Sequence, residues 1–318
     1  MRPRTSDIIL ELETLRLVLA PSLGASIVSL MIKDRFGTWA PVLRPMPEQS
    51  TSVSDASSFV MLPWTNRIKD ARFVYKGENH VLRPNFPDGS AIHGVARDLP
   101  WTITDRSPIT ARFVLDSRTF DSQSINYPFK FGATQRFEIG PNSVEIDLWV
   151  TNLDDRAIPV GCGYHPYVSR ELFSDADDLR ITLDVSGRYP TKGCIPIGDP
   201  VDDSICTRLR AGDRLDGLEL DDVFVGFGGK AIFDWAASNV RMTMSCSENL
   251  NHVVIYTPPH PNESDNHAAG FVCVEPTTMV NDGFNRHHHG QAETGVVILE
   301  PNQTLHTRMT LVFSSCNP

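Results

Sequence analysis

The sequence places two histidines and a glutamate where apolar, strand-like segments end. His165, in the stretch GYHPYV, follows a tyrosine and directly precedes Pro166. His93, in AIHGVARDLPW, is followed by a glycine, which lets a backbone or a ligand approach closely. Glu275 closes the segment FVCVE, and an ionisable group at the end of a buried-looking strand must be paired or functional. Imidazole and carboxylate are residue types suited to proton transfer near neutral pH.

Three further polar residues stand beside such segments. Asn66 and Arg67 lie in PWTNRI, and Asp222 follows another aspartate in LELDDVFVGF. Arginine presents a planar fork of donors suited to vicinal hydroxyls, and a carboxylate accepts a hydrogen bond from a hydroxyl. Each residue also has an ordinary explanation, because surface arginines, turn-forming aspartates and half-buried histidines are common. A fold must bring these side chains together before they can form a site.

The elements that would position them are strands. The segment SVEIDLWV at residues 143–150 alternates apolar and polar positions with the period of two that a half-buried strand requires. Two hairpins are predicted, at residues 16–32 and 72–82, and the segment at 258–270 is predicted to be a long surface loop. No long amphipathic helix stands out. The pattern predicts an all-β fold, a large sandwich or barrel, with residues 1–318 in a single domain.

Composition excludes several function classes. The net charge of the 318-residue chain is -10, which argues against nucleic-acid binding because phosphate contacts need clustered Lys and Arg. The N-terminal segment carries acidic residues through its apolar part, unlike a secretory signal, and no apolar run approaches the ~20 residues of a membrane helix. Six scattered cysteines without a CxxC motif indicate reduced thiols. A cytoplasmic protein that binds neither nucleic acid nor membrane is expected.

The order of the short motifs is more specific than any one of them. The chain resembles the aldose 1-epimerase (galactose mutarotase) family from its first hairpin to its last strand. In chain order, the resemblance rests on Asn66-Arg67-Ile68, Ile92-His93-Gly94, Gly163-Tyr164-His165-Pro166-Tyr167, Asp221-Asp222 and Val274-Glu275.

This resemblance implies a large twisted β-sandwich of the galactose-mutarotase type, which holds a monosaccharide on an open concave face. It implies that Glu275 is the general base and His165 the general acid in the interconversion of α and β anomers of a free hexose. The ring opens and closes by proton transfer, so neither a metal nor any other cofactor is expected. The residues implied in substrate binding are Arg67, His93, Asp222 and Asn66.

One departure from the family concerns the substrate. Val95 stands where many members have a second glycine, and the resulting His-Gly-apolar-Ala-Arg pattern resembles relatives of which some act on hexose 6-phosphates. Arg97 and Lys69 would then be the partners of a phosphate. Because Arg67 is implied to touch the sugar ring itself, a free hexose is predicted in preference to its 6-phosphate.

Two other interpretations remain open. A sugar-binding protein could keep this fold without the chemistry, although every matched position retains a competent residue type. The histidines at 287–289 suggest a metal, but three successive histidines on a loop rarely converge on one ion, so no metal site is predicted. A monomer or a weak homodimer is expected.

Overall fold

Two antiparallel β-sheets, of 11 and 8 strands, form the larger part of the protein. The computed structural model describes residues 6–177, 179–215, 217–258 and 270–316, so most of the loop predicted at 258–270 lies outside the described residues. The prediction of an all-β fold is confirmed. That the whole chain forms one domain stays a prediction.

The strands are named in chain order. The first half comprises β1 (Ile8–Leu12), β2 (Leu15–Ala20), β3 (Ser26–Lys33), β4 (Trp39–Leu43), β5 (Val60–Met61), β6 (Arg67–Ile68), β7 (Arg72–Tyr75), β8 (Glu78–Val81), β9 (Ala91–Ile92), β10 (Thr102–Arg106), β11 (Thr110–Asp116), β12 (Phe131–Ile139) and β13 (Ser143–Asn152). The second half comprises β14 (Ile158–Val160), β15 (Gly163–Tyr164), β16 (Tyr167–Ser169), β17 (Arg180–Leu183), β18 (Gly187–Arg188), β19 (Thr191–Lys192), β20 (Ile195–Pro196), β21 (Asp221–Val225), β22 (Lys230–Trp235), β23 (Val240–Cys246), β24 (His252–Tyr256), β25 (Phe271–Thr277), β26 (Val297–Leu299) and β27 (Thr304–Ser314).

The larger sheet has the strand order β1-β2-β3-β4-β16-β25-β24-β21-β18, and the short strands β15 and β5 pair beside β25. The smaller sheet has the order β10-β11-β12-β13-β27-β23-β22-β17. Both predicted hairpins are confirmed, as the antiparallel pairs β2–β3 and β7–β8. The strands β16, β25 and β24 are neighbours in the interior of the larger sheet, with paired strands on both sides. Side chains on these strands are therefore held rigidly, as a functional site requires.

The two large sheets pack face to face as a sandwich. In β13, Val144, Ile146, Leu148 and Val150 are all buried, as their alternation predicts, and they join one hydrophobic cluster with residues of the larger sheet. The sheets are also joined by a buried hydrogen bond, because Gln135 Nε2 donates to the Gly24 carbonyl oxygen at 3.1 Å. The core therefore lies between the sheets, and the outer face of the larger sheet is available for a site.

Helices are short in the described part of the chain. Helix α1 spans Ser204–Ala211 and helix α2 spans Gly283–His288, and 3₁₀ turns occur at Val53–Asp55, Lys69–Ala71, Ala96–Asp98 and Ser117–Thr119. The sequence suggested a loop for the three successive histidines, but two of them belong to α2 and the third caps it. Among the described residues, no helix is long and apolar enough to cross a membrane.

Candidate active site

The outer face of the larger sheet carries Glu275. Val272 and Val274 of β25 pack into the core between the sheets, so the alternation of the strand turns Cys273 and Glu275 to the opposite face. Glu275 is nevertheless only 2% exposed, because loops from the N-terminal half of the chain cover this part of the sheet. A carboxyl group is thus held on a central strand and away from bulk water.

The pairing of the neighbouring strands places His165 beside this carboxyl group. Gly163 of β15 pairs with Thr277, and Tyr167 of β16 pairs with Cys273, so His165 lies midway, opposite Glu275. The backbone N–H of His165 donates to the Phe59 carbonyl oxygen at 3.0 Å. The imidazole is therefore fixed from both sides, which explains why a strand breaks at a histidine followed by a proline.

His165 and Glu275 are in direct contact. His165 Nε2 lies 3.2 Å from Glu275 Oε1, and their side chains are 8% and 2% exposed. The second polar atom of each group, His165 Nδ1 and Glu275 Oε2, is buried and has no hydrogen-bond partner among the described residues. A buried polar atom without a partner is costly, so these atoms are candidates to meet a polar ligand.

Burial determines the protonation of this pair. It raises the pKa of Glu275 well above its ordinary value, and the negative charge of Asp221 adds to this effect. Burial also lowers the pKa of His165, with a further contribution from the positive charge of Arg97. Both shifts disfavour the charged forms. The unliganded pair therefore holds a proton on the carboxyl group beside a neutral imidazole.

Two aromatic rings and two guanidinium groups surround His165. The imidazole contacts the rings of Phe59 and Tyr167, with ring centroids 4.6 Å from each, while these two rings are 6.3 Å apart and do not lie on its opposite faces. The guanidinium of Arg97 covers Phe59 at 4.7 Å, and that of Arg44 covers Tyr167 at 3.9 Å. The rings restrict the orientation of the imidazole, and the two cations oppose a further positive charge on it.

Asn66 and Arg67 form one wall of the site. Arg67 is buried, and its Nη1 donates to Asn66 Oδ1 at 3.0 Å. Its Nε lies 3.0 Å from Asp88 Oδ2, and its guanidinium covers the ring of Phe86 at 4.9 Å. These contacts fix the guanidinium at the wall of the cavity that Arg67 lines together with Glu275.

His93 forms the wall next to Arg67. Strand β9 pairs with β6, and the backbone N–H of His93 donates to the Asn66 carbonyl oxygen at 2.8 Å. Its ring stands perpendicular to that of His165, with centroids 5.0 Å apart. Burial keeps the pKa of His93 well below its ordinary value, so its ring is neutral. Gly94 is required here, because a Cβ at its φ of +73° would lie 2.0 Å from the Leu62 carbonyl oxygen.

The two adjacent aspartates of β21 point in opposite directions. Asp221 lines the cavity, and its Oδ2 lies 3.4 Å from Arg67 Nη2. Asp222 shares the opposite face of β21 with the core residue Phe224, and its Oδ2 lies 3.0 Å from Arg188 Nη1. The expectation that Asp222 lines the site is therefore corrected, because the alternation of the strand gives that place to Asp221.

Together these side chains enclose a cavity of about 300 Å³. This volume stands at the small end of the range of roughly 300–1,000 Å³ that ligand pockets span. Five of the predicted residues line it, and the sixth, Asp222, does not. The five are Asn66, Arg67, His93, His165 and Glu275.

Sequence reasoning missed several lining residues. The additional side chains are those of Ser54, Phe59, Asn85, Phe86, Ile92, Tyr167, Asp221 and Tyr256, together with Arg97, which was considered only as a phosphate partner. Tyr167 could have been inferred, because it lies two positions after His165 in the same motif. Phe59 and Phe86 carry no motif of their own, and their position depends on the course of loops.

The arrangement combines two chemical functions. A pair of proton-transfer groups in contact lies on the floor, and hydrogen-bond donors and acceptors surround it on the walls. Such a cavity can bind a compound with several hydroxyl groups and move protons at one end of it.

Comparisons with known proteins identify the family and the fold. The family model Aldose 1-epimerase matches residues 8–311. The uncharacterized protein YphB of Escherichia coli K12 is 24% identical over 287 residues, 86% of this chain and 90% of its own. The fold is similar to that of an Escherichia coli K12 protein (TM-score 0.81, 22% identity, 97% and 99% of the two chains). It is also similar to a galactose mutarotase-like protein from Clostridium acetobutylicum (TM-score 0.80, 19% identity, 97% and 95%). Because the family model matches nearly the whole chain, the protein belongs to the aldose 1-epimerase family.

Proposed function

We propose that this protein is a mutarotase that interconverts the α and β anomers of a free hexose by acid–base catalysis. The observation that carries this proposal is the buried contact between His165 and Glu275 on the floor of a small polar cavity, in a member of the aldose 1-epimerase family. Glu275 is the base that removes the proton of the anomeric hydroxyl O1. His165 is the acid that protonates the ring oxygen O5.

The reaction needs no net gain or loss of protons. When the ring opens, O1–H gives its proton to Glu275 while His165 gives a proton to O5, and C1 becomes an aldehyde. Rotation about C1–C2 then presents the other face of the aldehyde. When the ring closes, His165 takes back the proton of the O5 hydroxyl, and Glu275 returns a proton to O1. The pair therefore ends each turnover as it began.

Burial makes the neutral forms of the pair the stable ones, so ring opening is preceded by transfer of the proton on Glu275 to His165 across their 3.2 Å contact. The cyclic sugar then reacts with the charged pair, and its two proton transfers return Glu275 and His165 to their neutral forms. The neutral forms are the ones that burial stabilises at these two positions. Exclusion of water from the cavity floor thus lowers the free energy of the open-chain sugar with neutral Glu275 and His165, relative to the cyclic sugar with the charged pair.

The walls supply the contacts of the sugar hydroxyls. In this proposal Arg67 and His93 donate hydrogen bonds, and Asp221 takes the acceptor role that the family resemblance implied for Asp222. Asn66 holds the guanidinium of Arg67 in place. Phe86 at the rim, 41% exposed and stacked against Arg67, offers an apolar surface to the carbon face of the ring.

The balance of charge supports a free hexose over a hexose 6-phosphate. A phosphate dianion needs at least two converging cations. Besides Arg67, Arg97 is the cation that lines the cavity in the described part of the chain, and its Nε lies 3.6 Å from Asp98 Oδ2. Lys69, the other candidate, has an exposed side chain and does not line the cavity. Because Arg97 could bind a phosphate, a hexose 6-phosphate is the second candidate substrate.

The test is a direct measurement of anomer exchange. Polarimetry on fresh α-D-glucose and α-D-galactose, and saturation-transfer NMR at equilibrium, should reveal acceleration by the protein that EDTA does not abolish. If no aldose, free or phosphorylated, exchanges faster but sugars still bind by calorimetry, the protein is a non-catalytic sugar-binding member of the family. Loss of activity in EDTA would refute the metal-free mechanism.

A further inference from the structure

A third potential ligand atom lies beneath the proton-transfer pair. Cys273 stands two residues before Glu275 on β25, so its side chain shares the same face, and it pairs directly with Tyr167 of the His165 motif. One nitrogen of His165, the sulfur of Cys273 and one oxygen of Glu275 all lie within 4.8 Å of one another. All three side chains are buried. The proposed reaction uses no thiol, so Cys273 has no role in it.

The geometry is close to that of a tetrahedral zinc site. Zinc binds histidine nitrogen and carboxylate oxygen at about 2.0–2.2 Å and thiolate sulfur at about 2.3 Å, so tetrahedral ligand atoms are separated by roughly 3.3–3.6 Å. The separation of 3.2 Å between His165 Nε2 and Glu275 Oε1 already fits this requirement. The thiol must move by about 1 Å at most, which a change of its side-chain torsion can provide.

A metal ion would replace the 3.2 Å contact between His165 Nε2 and Glu275 Oε1 by a bond to each atom. Glu275 Oε2 is buried without a partner among the described residues and is a second carboxylate oxygen that can take up the metal. A neutral imidazole is the form that binds metals. Burial raises the pKa of the Cys273 thiol, but a coordinating thiol loses its proton to the metal. Three protein ligands leave a fourth position open, and His165 and Glu275 face the cavity.

We propose that His165, Cys273 and Glu275 form an inhibitory site for Zn²⁺ and similar thiol-binding divalent cations, whose occupation excludes the sugar. The bound metal would be coordinated by both proton-transfer groups, His165 and Glu275, and would take the place of the sugar's anomeric carbon. Binding of the metal stands on geometry alone, whereas the competition with a sugar rests on the proposed function.

Cobalt is a suitable probe, because Co²⁺ replaces Zn²⁺ in such sites and a thiolate ligand gives it a charge-transfer absorption in the near ultraviolet. Titration of the full-length protein with Co²⁺ should give this band at one equivalent. Cys273→Ser should abolish the band, and the matched control Cys162→Ser, at a buried cysteine outside the cluster, should retain it. The histidines at 287–289 offer nitrogen ligands only, so ions bound there add no thiolate band.

Two further measurements keep the proposal falsifiable if Cys273→Ser does not fold. Excess hexose should displace Co²⁺ from the wild-type protein and reduce the band. In a metal-buffered assay of the wild-type protein, Zn²⁺ should inhibit anomer exchange competitively with the sugar. Where Cys273→Ser folds, it should raise the inhibition constant at least tenfold, about 1.4 kcal/mol.

A wild-type protein without the thiolate band would overturn the metal site while leaving the mutarotase proposal intact. A band that survives in Cys273→Ser would overturn it equally. If the band appears and depends on Cys273 but no aldose is turned over, the metal site stands and the mutarotase proposal fails.

Discussion

Two neighbouring aspartates provide the sharpest test of the proposed site. Asp221→Asn removes a negative charge from the cavity wall, and Asp222→Asn removes the same charge one residue away, on the other face of β21. Both substitutions keep the shape of the side chain. Both also keep the backbone pairing with β24, in which Asp221 is opposite Tyr256 and Asp222 is opposite Ile255. Each variant is therefore the control of the other.

The expected magnitudes follow from the contacts. If Asp221 accepts a hydrogen bond from a sugar hydroxyl, loss of its charge removes about 1.5–3 kcal/mol of binding, which is about a 10- to 150-fold decrease in kcat/KM. Asp222 instead pairs with Arg188, which keeps its bond to Asp203 at 2.6 Å. That pair is partly buried, with side chains 30% and 15% exposed, so its loss should lower the free energy of unfolding by about 1.5–3 kcal/mol, while kcat/KM should not change.

Initial rates of anomer exchange at several sugar concentrations give kcat/KM, and urea unfolding gives the stability of each variant. Circular dichroism is the control that shows whether both variants fold. An equal loss of kcat/KM in Asp222→Asn, or an unaffected Asp221→Asn, would show that the orientation of β21 has been misassigned.

Three more predictions concern catalysis, stability and substrate. Glu275→Gln keeps the shape of the base but not its function, so kcat should fall on the order of 10²–10⁴-fold with the fold intact, and a variant that kept most of its turnover would exclude Glu275 as the base. His252 is buried and burial lowers its pKa to about 4, so protonation in the unfolded state should reduce stability as the pH falls from about 6.5 to 4, by roughly 3 kcal/mol. Urea unfolding across this range should show a smaller pH dependence in His252→Gln, and an unchanged dependence would refute the assignment. Glucose should be the better substrate than glucose 6-phosphate at fixed ionic strength, and a tenfold advantage of the ester that disappears in Arg97→Gln would reverse this prediction.

Local periodicity made much of the fold predictable. The alternation of residues 143–150 and the glycine-containing turns of the two hairpins are properties of short segments, and the structure confirms both. Helix α2, with six residues, is too short for a helical period to be visible in the sequence. The order of the strands within each sheet depends on contacts between distant segments, which neither periodicity nor turn chemistry encodes.

The same distinction applies to the site. His93, His165, Glu275 and the pair Asn66-Arg67 stand in short motifs within or beside strands, and these motifs predicted five of the lining residues. The sequence could not show whether Asp221 or Asp222 lines the cavity. The last three of the five residues of β21 are all apolar, so the strand has no alternation that reveals which face packs into the core. The guanidinium of Arg44 covers the ring of Tyr167, and this ring packs against the imidazole of His165. Arg44 precedes both residues by more than 120 positions in the chain, so no local sequence pattern could connect them.

The distribution of charge around the cavity supports the proposed preference for a neutral ligand with many hydroxyls. Among the described lining residues, Arg67 is balanced by Asp221 and by Asp88 beside it, and Arg97 lies beside Asp98. These side chains are fixed before any ligand arrives, and each pair still has donors or acceptors left for a hydroxyl. A dianion would have to compete with the carboxylates for both arginines, whereas a hydroxyl can donate to an aspartate and accept from an arginine at the same time. In the proposed function the charged walls therefore orient a sugar without attracting an anion, and the uncharged pair of His165 and Glu275 on the floor transfers its protons.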